Sequence, residues 1–329
     1  MATSVCDVLS DLEELLEGRA IKPSVVDAGC DIAASFIPKT KENVCYIVGA
    51  VLFNDKGDVL MIQEAKSSCR GQWYLPMGRL EKGESLLEGA QREVLEESGL
   101  HFVPTTLLCV EVGCGSWYRF IYTGKVTGGK LKSTSDGDSE SLQAKWMKYE
   151  EVVDARKRTI TIRAGDIFKL IKLGHRRYSQ SDVTKRIPKC VGSCNPHKQL
   201  LLRLILLQND TEGKKKVLVN SKEGDHFPLG VIGIPDFSLD VALSRILQAA
   251  FVRIKQRPQI FGVLAVEYSG KPPRKNDGVC FTILAQSSSQ ELQLLKDTGF
   301  HWLTVPPGDT LDKLKSRLEN VLFIPLLQI

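Results

Sequence analysis

Three glutamates, Glu93, Glu96 and Glu97, recur at a spacing that places their carboxylates on one face of a single helical turn. Clustered like charges destabilise such a turn and raise carboxylate pKa values, so they need a cation. A hard divalent ion with oxygen ligands meets that need, with Mg²⁺ the natural choice and Mn²⁺ an alternative. Because such ions bind substrate phosphates, the triad predicts a metal site for phosphate chemistry.

The residues on either side of the triad predict the structural elements that position it. Ser85 and Glu88 form a capping box that predicts the start of a helix, and Gly99 suits its left-handed end. A loop just upstream brings Met77 beside this helix, where its backbone carbonyl can add a metal ligand. An ordinary solvated acidic helix face is the alternative interpretation of the glutamates.

The full spacing resembles the signature of the Nudix hydrolase family at every defined position. In this chain it reads Gly78-x5-Glu84-x7-Arg92-Glu93-Val94-x-Glu96-Glu97-x-Gly99-Leu100. The resemblance implies an α/β fold, an α/β/α sandwich around a mixed sheet, in which Glu93, Glu96 and Glu97 bind the metal. It also implies a catalytic part for Arg92, which holds a glutamate in place, and structural parts for Gly78, Glu84 and Gly99.

The substrate is predicted from three stretches before the signature, residues 43–46, 59–66 and 70–76. They resemble the family members that hydrolyse oxidised purine nucleoside diphosphates, of the 8-oxo-dGDP or 8-oxo-GDP type, to monophosphate and phosphate, sanitising the nucleotide pool after oxidative damage. The base pocket is expected at Val59 and Met61, and Asp138 or Glu140 could be a further catalytic acid. The alternatives are another pyrophosphate substrate, such as a dinucleoside polyphosphate or nucleotide sugar, and a non-catalytic module that senses a nucleotide.

The chain length of 329 residues favours two domains. We expect an N-terminal helix and linker over 1–42, a catalytic Nudix domain over 43–170, a basic linker over 171–196 and a second domain over 197–329. The first two strands of the catalytic domain, near 43–53 and 58–63, are predicted to form a hairpin.

The second domain is predicted to be a degenerate Nudix-like copy of the first. At an offset of 152 residues, Phe227-Pro228-Leu229-Gly230 aligns with Leu75-Pro76-Met77-Gly78. In the same alignment Arg245, Gln248 and Ala249 replace Glu93, Glu96 and Glu97. Such a copy could not bind metal in the usual way, and an unrelated α/β domain is the alternative.

Composition excludes several other classes. A net charge of +5 is too mild to predict a polymeric nucleic-acid partner, and no apolar run approaches membrane-spanning length. Nine cysteines, with no visible signal peptide, favour free thiols in the cytoplasm. The resemblance to the Nudix family implies a small nucleotide as the partner, and the protein is expected to be a monomer or homodimer. Cys190, Cys194 and His197 form a weak alternative metal-ligand set.

Overall fold

The first half of the chain carries most of the elements that the sequence predicts. The computed structural model describes residues 5–31, 35–113, 116–154, 156, 159–179, 190, 192–233, 238–254, 256–287, 292–320 and 324–328. The helices are α1 Val5–Leu16, α2 Leu86–Ser98, α3 Tyr149–Val153 and α4 Ile167–Tyr178. The strands are β1 Cys45–Ala50, β2 Val59–Glu64, β3 Trp73–Tyr74, β4 Met77–Arg79, β5 Leu100–Gly113, β6 Trp117–Gly129 and β7 Ser141–Met147.

Two sheets flank helix α2, which carries the glutamate triad. The larger sheet is mixed, because β1 runs parallel to β6 and antiparallel to β4. The smaller sheet has the order β3-β2-β7. The apolar face of α2, which includes Ala90 and Val94, is buried in the core shared with both sheets. This is the α/β arrangement expected from the sequence.

The predicted hairpin of the first two strands is present only around its turn. Phe53 forms an antiparallel bridge with Val59, and the Leu60 amide donates to the Leu52 carbonyl. Beyond this short contact β1 and β2 diverge into different sheets. Each strand instead has a long ladder with a distant partner, β1 with β6 and β2 with β7. Both strands are therefore buried among long-range neighbours, which local spacing does not reveal.

The second half repeats the pairing pattern of the first. Its helices are α5 Leu239–Ala250 and α6 Asp309–Asn320. Its strands are β8 Leu200–Asn209, β9 Lys215–Asn220, β10 Leu229–Ile232, β11 Gln259–Glu267, β12 Cys280–Gln286, β13 Phe300–Thr304 and β14 Leu326–Gln328. β8 is parallel to β12 and antiparallel to β10, as β1 is to β6 and β4. β11 pairs with β12 as β5 does with β6, and β13 pairs with β9 as β7 does with β2.

The two halves exchange their end segments. β14 joins the first-half sheet alongside β5, and Ser193, which follows α4, bridges to β11 of the second half. The N-terminal helix α1 packs its apolar face, including Leu12 and Leu15, into the core of the second half. In the middle, Phe120 and Phe281 stack with ring centroids 6.1 Å apart. One hydrophobic cluster therefore contains residues of both halves, and α1 packs into a second cluster.

The first part of the predicted basic linker over 171–196 is helical, because α4 continues to Tyr178 with Ile171 and Gly174 on its buried face. Tyr178 stacks on Phe53 with ring centroids 5.4 Å apart. Residues 180–189 and 191 of the predicted linker lie outside the described residues. None of the helices in the described part of the chain combines the length and hydrophobicity needed to span a bilayer.

Candidate active site

Helix α2 begins and ends as its sequence predicts. The Ser85 side chain accepts the Glu88 amide at 3.2 Å, and the Glu88 carboxylate accepts the Ser85 amide at 2.7 Å. Gly99 closes the helix in the left-handed region with φ 75°. A helix fixed at both ends holds its side chains in a constant orientation toward the neighbouring strands.

The three glutamates lie together but in different environments. Glu93 and Glu97 are buried, with 6% and 2% of their surfaces exposed, whereas the Glu96 side chain is 43% exposed. Burial raises the pKa of Glu93, and burial followed by the charge of Glu93 raises the pKa of Glu97 well above its usual range. The helix face therefore concentrates negative charge in a poorly solvated place.

Arg92 organises the acidic residues around it. Its Nε donates to Glu84 at 2.6 Å, and its Nη1 donates to Glu93 at 2.8 Å and to Glu96 at 2.9 Å. A further bond runs from Nη2 to the Arg79 carbonyl at 3.1 Å. One planar guanidinium thus fixes two triad carboxylates relative to strand β4.

Strand β4 supplies the opposite wall of the site. The Met77 amide donates to the Glu97 carboxylate at 2.9 Å. At Gly78 the Glu93 carboxylate approaches so closely that a Cβ would overlap both of its oxygens. Glycine is required here because the side chain of α2 occupies the space that any other residue would need.

The donor set suits a hard divalent cation. Among the described residues, Glu97 has no cationic hydrogen-bond partner, and one oxygen of buried Glu64, Oε2, has no partner at all. The Glu64 charge also contributes to the raised pKa of Glu97. The other oxygen of Glu64 accepts from Arg163 at 2.6 Å, so Glu97 is the carboxylate of this group that lacks a cationic partner among the described residues. All of the candidate ligands are oxygens, which Mg²⁺ and Mn²⁺ prefer.

The triad opens into a cleft of about 890 Å³. The lining includes the predicted Met77, Gly78, Arg92, Glu93 and Glu96, and Glu97 lies buried behind it. The other lining residues are Cys45, Ile47, Lys66, Tyr74, Arg79, Glu81, Trp117, Arg119, Glu140 and Arg163.

The wall opposite the triad is built on a buried arginine. Arg119 is paired with Glu111 and donates to Asp166 at 2.6 Å and to the Tyr74 hydroxyl at 3.2 Å. Its guanidinium also lies 5.3 Å from the ring centroid of Trp117. This network gives the cleft a rigid wall with an aromatic surface beside the charge.

The residues predicted for the base pocket are not in the cleft. Val59 and Met61 are fully buried in the core, on β2, and neither lines the cleft. Sequence reasoning missed Trp117 and Arg119, although an arginine within an aromatic strand is a signal of a paired, buried charge. Of the two loop acids, Glu140 lines the cleft.

The other loop acid and the alternative metal-ligand set have different partners. Asp138 binds Lys132 at 2.9 Å. Among the described residues His197 clusters with Glu267 and Cys280, and Cys190 and Cys194 take no part in that cluster. Glu267 is also paired with Arg203, so its charge is already matched within the protein.

Comparison with known proteins agrees with this site. The NUDIX domain family matches residues 45–169, which span the triad, both sheets and the cleft. The chain belongs to the Nudix hydrolase family and is an enzyme of that class.

Relatives that match nearly the whole chain have names that state a substrate. The chain is 37% identical over 327 residues to "8-oxo-dGDP phosphatase NUDT18" of Danio rerio, covering 96% of each protein. It is 34% identical to the Mus musculus protein of the same name, over 96% of this chain and 97% of that one. Among solved structures, a NUDIX hydrolase from Nitrosomonas europaea has 27% identity and a TM-score of 0.35, covering 41% of this chain and 90% of that chain.

Proposed function

We propose that the first half of the protein hydrolyses oxidised purine nucleoside diphosphates, such as 8-oxo-dGDP, to the monophosphate and phosphate. The observation that carries the proposal is the glutamate triad beside a cleft with an aromatic wall, in which Glu93 and Glu97 are buried and Glu97 has no cationic partner among the described residues. The full-length likeness to proteins named 8-oxo-dGDP phosphatase supports this substrate class.

We assign the metal-binding role to Glu93, Glu96 and Glu97, with the Met77 carbonyl as a further ligand. Mg²⁺, or Mn²⁺ in its place, supplies neutralisation of the phosphates and activation of water when it is bound. Arg92 keeps two of the carboxylates at fixed positions through bonds of 2.8 and 2.9 Å. Glu84, held by Arg92 at 2.6 Å, anchors the loop between β4 and α2.

The reaction is an in-line attack of water on phosphorus. A new P–O bond forms to the water oxygen, the bridging P–O bond breaks, and the leaving nucleoside monophosphate keeps the bridging oxygen. The water proton must pass to a carboxylate, either within the triad or at Glu140, which lines the same cleft. Lys66 also lines the cleft and can bind the phosphate being released.

The base is proposed to bind against the opposite wall. Trp117 offers an aromatic face, and Arg119 is held behind it by Glu111 and Asp166. Stacking on such a surface can bind a nucleobase. The expectations of a cytoplasmic location and of a monomer or homodimer stay predictions.

A phosphate-release assay tests this proposal. We expect Mg²⁺-dependent release from 8-oxo-dGDP to exceed that from dGDP. Glu97→Gln should lower it by more than about 100-fold, because a metal ligand is lost. Glu151→Gln, at an exposed position on α3, is the matched control and should keep wild-type activity.

Three results would overturn the proposal. Equal rates on 8-oxo-dGDP and dGDP would contradict a role in removing oxidised nucleotides. Faster turnover of a dinucleoside polyphosphate or a nucleotide sugar would favour the other enzymatic alternative. Nucleotide binding without any turnover would favour the sensing module.

A further inference from the structure

The second half has a cavity of about 270 Å³ at the place that corresponds to the active-site cleft. Helix α5 contributes Arg245, Gln248 and Ala249 to its lining, the three residues that align with the glutamate triad. The remaining lining residues are Ala28, Gly29, Asn220, Lys222, Thr298 and Phe300. No acidic side chain belongs to the lining among the described residues.

A second basic residue stands where the first half has another buried acid. β9 pairs with β13 as β2 pairs with β7, and Leu218 and Leu60 each lie opposite a tryptophan of the partner strand. Counting on from these leucines, Lys222 takes the place of Glu64. The exchange of Glu93 for Arg245 is thus accompanied by a second acid-to-base exchange, and both basic residues line one cavity.

Neither basic side chain has an ion-pair partner within the described part of the chain. Arg245 is half-buried and Lys222 is exposed. The nearby buried carboxylate, Asp27, accepts from Asn220 at 2.8 Å, from His226 at 3.2 Å and from the Leu229 amide at 2.7 Å. Asp27 is therefore already supplied with donors, and the positive charge of the cavity is available to a ligand.

We propose that this cavity binds a phosphate group without a metal ion. A guanidinium presents parallel N–H donors that match phosphate oxygens, and the Gln248 amide and the Lys222 ammonium can add further donors. The volume suits orthophosphate or the phosphate end of a nucleotide better than it suits a whole substrate. The ligand is thus of the same chemical class as the products of the first half, but its recognition does not depend on which nucleotide is hydrolysed there.

Metal-free binding separates the two sites. In excess EDTA the glutamate triad repels phosphate, whereas the cavity of the second half keeps its positive charge. We expect isothermal titration of the full chain in EDTA to show salt-sensitive binding of orthophosphate or dGMP. Arg245→Glu should weaken that binding by at least about tenfold, since a charge-assisted contact is replaced by repulsion.

Arg257→Glu is the matched control. Arg257 lies in the same half, its side chain is 71% exposed, and it faces Asp240 at 3.9 Å rather than lining the cavity. The two variants carry the same change in charge, so a difference in phosphate binding between them reports the position of that charge. Lys222→Gln provides a second, milder variant, and thermal unfolding identifies any variant that fails to fold.

The results of these titrations either support or contradict phosphate binding in the second-half cavity. Binding that is lost in Arg245→Glu and kept in Arg257→Glu supports the proposal. Equal binding of orthophosphate and dGMP assigns the site to a bare phosphate, and binding of dGMP alone assigns it to a nucleotide. Absence of binding in the wild-type protein, or equal loss in both arginine variants, overturns it. Glu97→Gln should leave binding in EDTA unchanged, which separates this test from that of the hydrolase.

Discussion

In each half a buried strand amide needs a hydrogen-bond acceptor, and a different residue provides it in each. In the first half the Met77 amide at the start of β4 donates to Glu97 of the neighbouring helix at 2.9 Å. In the second half Ala249 cannot accept a hydrogen bond, and the corresponding Leu229 amide donates to Asp27 at 2.7 Å. A buried amide needs an acceptor in either case. The difference teaches that one triad glutamate also serves the fold, and that its loss is compensated from the N-terminal segment.

The same segment makes the second cavity smaller. The chain around Asp27 pairs with β10, through the Asp27 amide to the Leu229 carbonyl and the Val231 amide to the Cys30 carbonyl. It thus lies beside β10, whereas β4 lines the open cleft of the first half. The cavities measure about 270 and 890 Å³. The second half thus has the pairing pattern of the first, whereas its cavity is smaller and has no acidic residue in its described lining.

The largest expected difference between the two halves comes from replacing aligned residues on helices α2 and α5. Arg92→Ala should lower Mg²⁺-dependent phosphate release by about 100-fold, because Glu84, Glu93 and Glu96 lose the guanidinium that fixes them. The aligned change, Ser244→Ala, should leave the rate within about twofold of wild type, since such a surface change has little effect. Steady-state kinetics with varied Mg²⁺ measures both. Equal losses in the two variants would contradict the separation of roles.

The aligned glycines Gly78 and Gly230 test whether activity depends on the absence of a Cβ atom at these positions. Gly78→Ala should reduce turnover by about tenfold or more, because its methyl group displaces the Glu93 carboxylate. At Gly230 the nearest atom to a Cβ is Cγ1 of Ile246, at 3.1 Å. Gly230→Ala should therefore cost only about 1 kcal/mol of stability and leave turnover unchanged. Kinetics and urea unfolding of both variants provide the check, and a larger loss of turnover in Gly230→Ala would reverse the assignment.

The smallest expected effect concerns the pH dependence of stability. Burial alone would lower the pKa of His226, but hydrogen bonds to Asp27 and to the Gly224 carbonyl raise it above its usual 6.5 overall. Protonated His226 thus stabilises the folded state fully below the unfolded pKa, and this contribution is lost as pH rises through the folded value.

Urea unfolding of wild type and His226→Gln measures this contribution. The wild-type advantage should be larger at about pH 5.5 than at about pH 8.5, by up to about 1 kcal/mol. An advantage that is constant, or that grows with pH, would show that Asp27 does not act as the charged partner of His226 in the second half.

The parts of the structure that could be predicted from sequence are local. The triad, the capping box and Gly99 lie within one helix, so spacing alone places them. The repeat was also visible, because Leu229 and Gly230 keep the spacing of Met77 and Gly78 relative to the helix that follows. Local hydrogen bonds and the helical period determine these features.

The remaining features depend on pairings between distant segments. The sequence predicts Val59 and Met61 at the base pocket, yet β2 is buried on both faces and both residues lie in the core. The lining of the cleft joins Lys66, Trp117 and Arg163 from three separate parts of the chain. No short-range pattern connects these residues, and their juxtaposition follows only from the assembled sheets.

The central claim is that metal binding belongs to the first half alone, and the anomalous scattering of Mn²⁺ tests it directly. Crystals of the full chain grown with Mn²⁺ should show anomalous density at Glu93, Glu96 and Glu97. No such density is expected in the cavity lined by Arg245, Gln248 and Ala249. Density in that cavity, or its absence at the three glutamates, would contradict the account.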